Sequence, residues 1–269
     1  MNKVMLLLSL ALTGLVFLND PLAAQDGIKN SLGVSFGGSN FHVLDEHANQ
    51  MIFRGTGIAP SLGFYHLNHK NIHIVAGKFY YNNLSSSSDN FRTIILAGNF
   101  RYCYLRMLLK SNLPGSQISL SAGVSFNSFF IKSHYEFYRP ALWATAIKSW
   151  YGSHSGDIAI RLNYLSRVNN RFEVLFFMPV ISNVSRPAFS PSGDYNYETN
   201  DWDAKAFGKI MTVSENLAFN TYFSFNHNFS SRVGLKAEYE FYYTRCRKPD
   251  LLKFYMNNLR IGILYSLNS

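Results

Sequence analysis

Charge is scarce in this chain. Lys, Arg, Asp and Glu make up 15% of its 269 residues, against roughly 25% in ordinary soluble domains, which weighs against a broad water-facing surface of Lys and Glu. Cysteine is scarcer still. Only Cys103 and Cys246 are present, too few for the disulfide framework of a small secreted domain. After Leu18 there is no apolar run of the ~20 residues that a helix needs to cross a bilayer. Acidic residues number 16 against 25 basic ones, giving a net charge of +9. The basic residues are dispersed, so nucleic acid is not an expected partner.

What is present is aromatic. Phe (23), Tyr (17) and Trp (3) reach 16% of the chain, with 47% hydrophobic residues and 18 Gly. Disorder is excluded by that content. A charged helical protein is excluded as well. Many Tyr, Phe, Ser and Asn with few charges suit strands that face something other than water on one side.

The first residues belong to targeting rather than to the fold. Lys3, the apolar run Val4 to Leu18, Pro21 and the small-residue exit Leu22-Ala23-Ala24 describe a secretory signal peptide over residues 1–24. Cleavage is expected between Ala24 and Gln25, leaving 25–269 as one domain. No Cys follows the run, so lipid attachment is not expected there.

Period-2 alternation, the strand signal, recurs through the rest. Ile118, Leu120, Ala122, Val124, Phe126 and Phe130 alternate with Ser119, Ser121, Gly123, Ser125 and Asn127. Four more runs do the same, at 158–164, 217–226, 233–243 and 259–267. Segments near 28–37, 57–67, 71–82, 91–106 and 171–182 bring the number to ten. In 71–82 both phases are apolar and the faces stay unassigned. The polar face of 171–182 is poor. Connections alternate between short polar ones (68–71, 110–117, 167–170, 228–231) and longer ones (38–56, 83–90, 132–153, 183–208, 245–253).

These features predict an all-β, ten-stranded antiparallel transmembrane β-barrel with short periplasmic turns and long external loops. The apolar phase is assigned outward, to lipid. Tyr102, Tyr104, Tyr164, Phe172, Tyr239, Tyr243 and Tyr265 fall near strand ends, where amphipathic rings sit at headgroup level. On this pattern, residues 25–269 resemble the small outer-membrane β-barrels of Gram-negative bacteria. The Leu22-Ala23-Ala24-Gln25 exit and the Asn/Tyr-rich strands resemble those of Bacteroidetes. That resemblance implies an outer-membrane location. Such barrels usually end on an aromatic residue; here Tyr265 and Leu267 are followed by Asn268 and Ser269.

The inward phase carries the charges, and a lumen network of Arg101, Arg161, Glu173, Lys236, Glu238, Glu240 and Arg260 is expected. Pairing about residue 249 sets Glu238 opposite Arg260. Pairing about residue 230 sets Glu238 opposite Tyr222 and Glu240 opposite Asn220. With ten strands the lumen lies near the filled end of the size range. The leading expectation is therefore a non-enzymatic barrel with a closed or narrow polar lumen, structural or surface-binding. A small-solute channel with anion preference is second, and a rim-located hydrolase is third.

Tyr195, Tyr197 and Trp202, with Asp194, Glu198, Asp201 and Asp203, make 183–208 the candidate external recognition loop. Arg245, Arg247 and Lys248 are candidates for lipopolysaccharide phosphates, and outer-membrane lipid is the expected partner. No catalytic residue, cofactor or metal is assigned. His42, Asp45, Glu46 and His47 match no helical His-Glu-x-x-His spacing. Strand alternation is expected to send His66, His69 and His73 in different directions. His134, Glu136, His154 and Asp157 border the third long connection. Cys103 and Cys246, low and high on the wall, are expected to be free thiols.

Overall fold

The computed structural model describes residues 29–46, 49–68, 70–86, 91–139, 142–166, 169–186 and 207–267. They form an all-β antiparallel barrel. Its strands are β1 (Lys29–Asp45), β2 (Asn49–Ile58), β3 (Ser61–Asn68), β4 (Asn71–Ser86), β5 (Phe91–Leu113), β6 (Ser116–Arg139), β7 (Leu142–Ser166), β8 (Asn170–Ser185), β9 (Lys209–Thr212), β10 (Asn216–Asn228), β11 (Val233–Cys246) and β12 (Leu252–Ser266).

Twelve strands make ten staves, because two staves are broken. β2 and β3 lie end to end between β1 and β4. The break falls at Pro60, which has no N–H to give the ladder. Its neighbours bridge the gap: Ala59 N donates to Gly37 O at 2.9 Å, and Phe79 N donates to Pro60 O at 3.1 Å. β9 and β10 likewise share one stave against the upper and lower parts of β8. The sheet closes where β1 meets β12, in a ladder from Ser31–Ser266 to Asp45–Leu252. Closure removes the exposed edge that an open sheet would present.

Turn chemistry explains the short end. Pro114-Gly115 joins β5 to β6, Pro holding φ near −65° while Gly115 takes φ 88°, the pairing that a type II turn requires. Asn169 occupies φ 55° just before β8, a conformation that Asn tolerates better than most residues. Lys29 and Leu267 lie at this end too.

The opposite end departs from the sequence reading. Most of 38–56 and 132–153 is strand: β1 runs to Asp45 and β6 to Arg139, while β2 starts at Asn49 and β7 at Leu142; in 245–253 the strands take only the two residues at each end. The alternation fades there for a physical reason. Both faces carry apolar side chains (Phe129 and Ile131 inward, Phe130 outward), so the period vanishes while the ladder continues. β6 has 24 residues. At a rise of about 3.3 Å and a tilt near 40°, such a strand stands roughly 60 Å tall, about twice the hydrocarbon core of a bilayer.

Face assignment follows burial. Val34, Phe36, Leu62, Val124, Ile160, Leu162, Ile261 and Ile263 are exposed on the outer wall, whereas Ser119, Ser121, Ser125, Asn127 and Asn163 are buried inside. In β4 the buried set is Ile72, Ile74 and Tyr80, and Phe79 is exposed, which settles the phase of 71–82. In β8 a bulge opposite Gly156 and Asp157 leaves the consecutive Val180 and Ile181 both exposed. The poor polar face of 171–182 has another source: Leu175 and Phe177, ahead of the slip, are apolar side chains buried on the inner side.

Candidate functional site

The lumen is built from three kinds of wall. Strand β11 turns Lys236, Glu238 and Glu240 inward at every second residue, and β12 sets Arg260 opposite Glu238 in the ladder. The β10–β11 register differs from the count about residue 230. Ser224 faces Glu238 and Tyr222 faces Glu240. The turn is longer than a symmetric count allows: Phe229 N and Ser230 N both donate to Val233 O, at 3.0 and 3.2 Å.

Glu240 is the hub. Its Oε1 accepts from Tyr222 Oη at 2.5 Å, Asn220 Nδ2 at 3.0 Å and Lys78 Nζ at 3.1 Å. Its Oε2 accepts from Arg260 Nη2 at 2.5 Å, Asn258 Nδ2 at 3.1 Å and Tyr80 Oη at 3.2 Å. Arg260 also reaches Glu238 Oε1, through Nε at 3.0 Å and Nη2 at 2.5 Å. Lys236 pairs with Glu238 from the other side and donates to Tyr65 Oη at 2.7 Å. A carboxylate taken out of water costs several kcal/mol unless its lone pairs are filled, and here they are.

Arg101 joins the same cluster from β5. It donates to Tyr222 Oη at 3.1 Å, lies 3.8 Å over the Phe177 ring and stands 3.8 Å from Asp157. Ser155 Oγ donates to Asp157 at 2.6 Å. Arg161 and Glu173 form a separate pair across β7 and β8, with Nε at 2.8 Å. The structure thus brings Arg101, Lys236, Glu238, Glu240 and Arg260 into one network and sets the Arg161–Glu173 pair beside it, the pair sharing a cavity wall with Lys236.

Sequence reasoning misses Lys78, Tyr80, Asp157 and Arg171 as lumen residues. Lys78 and Tyr80 lie in the segment whose phases look alike. Asp157 sits at the edge of a stretch read as a loop.

Toward the tall end the lumen is apolar. Phe41, Phe53, Tyr80, Phe129, Tyr135, Tyr151, Tyr242 and Phe254 belong to one buried cluster. Phe254 is its centre, with ring centroids 5.5 Å from Tyr242, 5.6 Å from Phe129, 6.0 Å from Tyr151 and 6.5 Å from Phe41. Above it, Asp45 accepts from Arg186 Nη2 and from Ser149 Oγ, both at 2.8 Å, and Arg186 donates to Asp250 O at 2.5 Å. Rings and strap occupy the tall half of the lumen. A second, smaller apolar cluster of Ile72, Ile74, Cys103, Leu105, Leu175 and Phe177 lines one side of the lower half.

The other candidates separate. Among the described residues no group of three His, Cys, Asp or Glu stands close enough to hold a metal. His66 and His73 face the same way, ring centroids 5.6 Å apart, because they are register partners on β3 and β4. This corrects the expectation that alternation would part them. His69 and His47 lie outside the described residues. His42 stacks on Tyr255 at 4.2 Å. His134 is 3.6 Å from Glu136, both part-exposed. His154 stacks between Phe126 and Phe207, away from the buried Asp157, so those two make no dyad.

Gly33-Val34-Ser35-Phe36-Gly37 has Gly-x-Ser-x-Gly spacing, which corrects the expectation that the chain carries no such motif. It lies in the unbroken ladder of β1, where Ser35 meets only Ser61 at 2.6 Å, so there is no nucleophile elbow. Cys103 and Cys246 are both free and buried. At the tall rim Lys248 donates to Glu215 at 2.7 Å, and that contact holds the Glu215 carboxyl below and the Lys248 ammonium above its usual range. Arg245 is the register partner of Lys253, and Arg247 is exposed. Tyr195, Tyr197 and Trp202 lie outside the described residues.

No protein-family model matches the chain, and no curated protein matches it. Among solved structures it is similar to the outer membrane protease OmpT from Escherichia coli, at 9% identity and a TM-score of 0.48, covering 89% of this chain and 97% of that one. It is also similar to Neisserial surface protein A, at 10% identity and a TM-score of 0.32 over 87% and 96% of the two chains. A third is Ail, the attachment invasion locus protein of Yersinia pestis, at 8% identity and 0.33 over 89% and 99%. Identities and scores this low assign no activity here.

Proposed function

We propose that this chain is a non-enzymatic outer-membrane β-barrel of the Gram-negative, Bacteroidetes-like kind, with a sealed lumen, serving as a structural or surface-binding module. One observation carries the reading. The wall is apolar outside all the way round, and its interior is occupied by a charge network around two small cavities below and by packed rings above. A closed antiparallel barrel is the β architecture that hydrocarbon tolerates, since every backbone group pairs between strands.

On this reading residues 1–24 are the signal peptide, the short turns face the periplasm and the tall end faces outward. The stretch holding Tyr195, Tyr197 and Trp202 serves external recognition. Arg54 and Arg92, next to Ser85 in register, join Arg245 and Lys253 as outer-wall cations near the tall end. Their chemistry suits lipopolysaccharide phosphates, through charge-assisted hydrogen bonds.

Refolding the protein from urea into detergent and lipid tests this. Expected are heat-modifiable electrophoretic mobility and no steady current in planar bilayers. Steady openings would instead favour the small-solute channel, and Arg161→Ala should then change ion preference. Hydrolytic activity abolished by His134→Asn or Glu136→Gln, the part-exposed pair near the tall end, would favour the third reading.

A further inference from the structure

The lower lumen holds two contiguous cavities of about 50 and 30 Å³, room for roughly five water molecules at one per 10–15 Å³. They share Ser224 and Lys236, and the second reaches Ser31, Asn226, Arg161 and Arg171. That places the second cavity at the short-turn mouth, since Arg171 follows the first residue of β8 and Asn226 stands two residues before the end of β10. The aromatic plug lies at the other end. The space is a blind vestibule.

Its charge does not balance. Among the described residues the lumen network holds six cations (Lys78, Arg101, Arg161, Arg171, Lys236, Arg260) against the carboxylates of Asp157, Glu173, Glu238 and Glu240. Arg161 is taken by Glu173, and Lys236 by Glu238. Arg171 has Arg161 and Glu173 as its charged neighbours, but the carboxylate of Glu173 is held by Arg161. Its register partner on β10 is the neutral Asn226, whose backbone neighbour His227 is itself engaged with Asn170 at 2.6 Å.

We infer that this vestibule binds a small oxyanion of the phosphate class from the short-turn end, with Arg171 as its principal ligand. A guanidinium offers paired N–H donors that match two oxygens of a tetrahedral anion. Asn226, Ser224 and Ser31 supply neutral donors lining the same cavity. A five-atom anion replaces about the water that the space holds. The same chemistry belongs to a free phosphate ion and to a phospholipid headgroup entering from the periplasmic leaflet.

The test uses the full mature chain folded in neutral detergent at low salt, titrated calorimetrically with inorganic phosphate. Binding by the parent, weakened about tenfold or more in Arg171→Gln and only partly restored in Arg171→Lys, which keeps the charge but not the paired donors, is expected. Asn226→Asp is the second variant. It hands Arg171 an internal carboxylate, so it should abolish phosphate binding while leaving heat-modifiable folding intact. No heat of binding in the parent, or equal binding in the parent and Asn226→Asp, overturns the inference. Titration with a short-chain phosphatidylglycerol in parallel separates the sources: a response to phosphate alone supports the free ion, and a stronger response to the lipid supports the headgroup. Steady bilayer currents would end the sealed-lumen reading and leave this site standing.

Discussion

The Nη2 of Arg260 donates to Oε2 of Glu240 at 2.5 Å where neither side chain meets solvent. The same nitrogen holds Glu238, so one guanidinium bridges two carboxylates that β11 delivers two residues apart. Arg260→Met leaves those carboxylates with Lys78 and Lys236 as their cations and Glu240 with its neutral donors. Breaking a buried pair from one side costs about 3–5 kcal/mol, and that loss is the expected outcome in reversible urea unfolding from lipid vesicles. Adding Glu238→Met to Arg260→Met should recover part of it. A double variant as unstable as the sum of the two single changes would show that the residues do not couple.

The plug makes a separate prediction. Phe254 touches four rings contributed by four other strands. Phe254→Ala should cost about 3–5 kcal/mol. The sealing role is tested by adding Phe129→Ala and recording current. Openings in the double variant, with none in the parent or in Arg161→Ala, place the seal in the rings. Openings in Arg161→Ala alone would place it in the charge network.

How much of this was readable in the chain depends on what each face touches. Strand β6 below Phe126 is legible because Ser119, Ser121 and Ser125 face a polar lumen while Val124 faces outward, and two solvents write a period of two. The Glu238–Arg260 register is legible as well, since the β11–β12 connection is symmetric about residue 249. The plug is not. Phe41 and Phe254, flanked by Asn40, His42 and Lys253, are apolar on the inner face, the reverse of the phase read lower on the same strands. Phe129 and Tyr242 put rings on the inner face beside the outer Phe130, Phe241 and Tyr243, and a run apolar on both faces has no phase. Lys78 is hidden for the same reason, between Ile72, Ile74 and Phe79. The displaced β10–β11 register reflects turn geometry, which hydrogen bonds to Val233 set and side-chain pattern does not.

The outer wall can be probed one residue at a time. Ile261 and Val124 are about three-fifths exposed, and a water-facing site of that kind accepts Arg within about 0.5 kcal/mol. Facing lipid, Ile261→Arg or Val124→Arg should cost about 2–4 kcal/mol, the more so the nearer it lies to the bilayer midplane. Ser125→Arg, on the buried inner side of the same strand, serves as a contrast that fails by steric crowding in any solvent. Equal stability of Ile261→Arg and the parent in vesicles would remove hydrocarbon from the outside of the barrel.

The two thiols report on the interior from opposite ends. Cys103 and Cys246 are both fully buried, so in the folded barrel neither should react with a maleimide, and both should react in urea. Their covers differ. Cys246 sits under Met211, with sulfurs 3.8 Å apart, and donates to Lys248 O at 3.2 Å. Cys103 lies in the lower apolar cluster with Leu105 and Phe177. Met211→Ala should therefore admit the reagent to Cys246 and leave Cys103 protected, read as a single added label by mass spectrometry. Two labels would mean that loss of one rim side chain loosens the whole barrel, and that the plug and the strap across Asp45 and Arg186 do not hold the tall end by themselves.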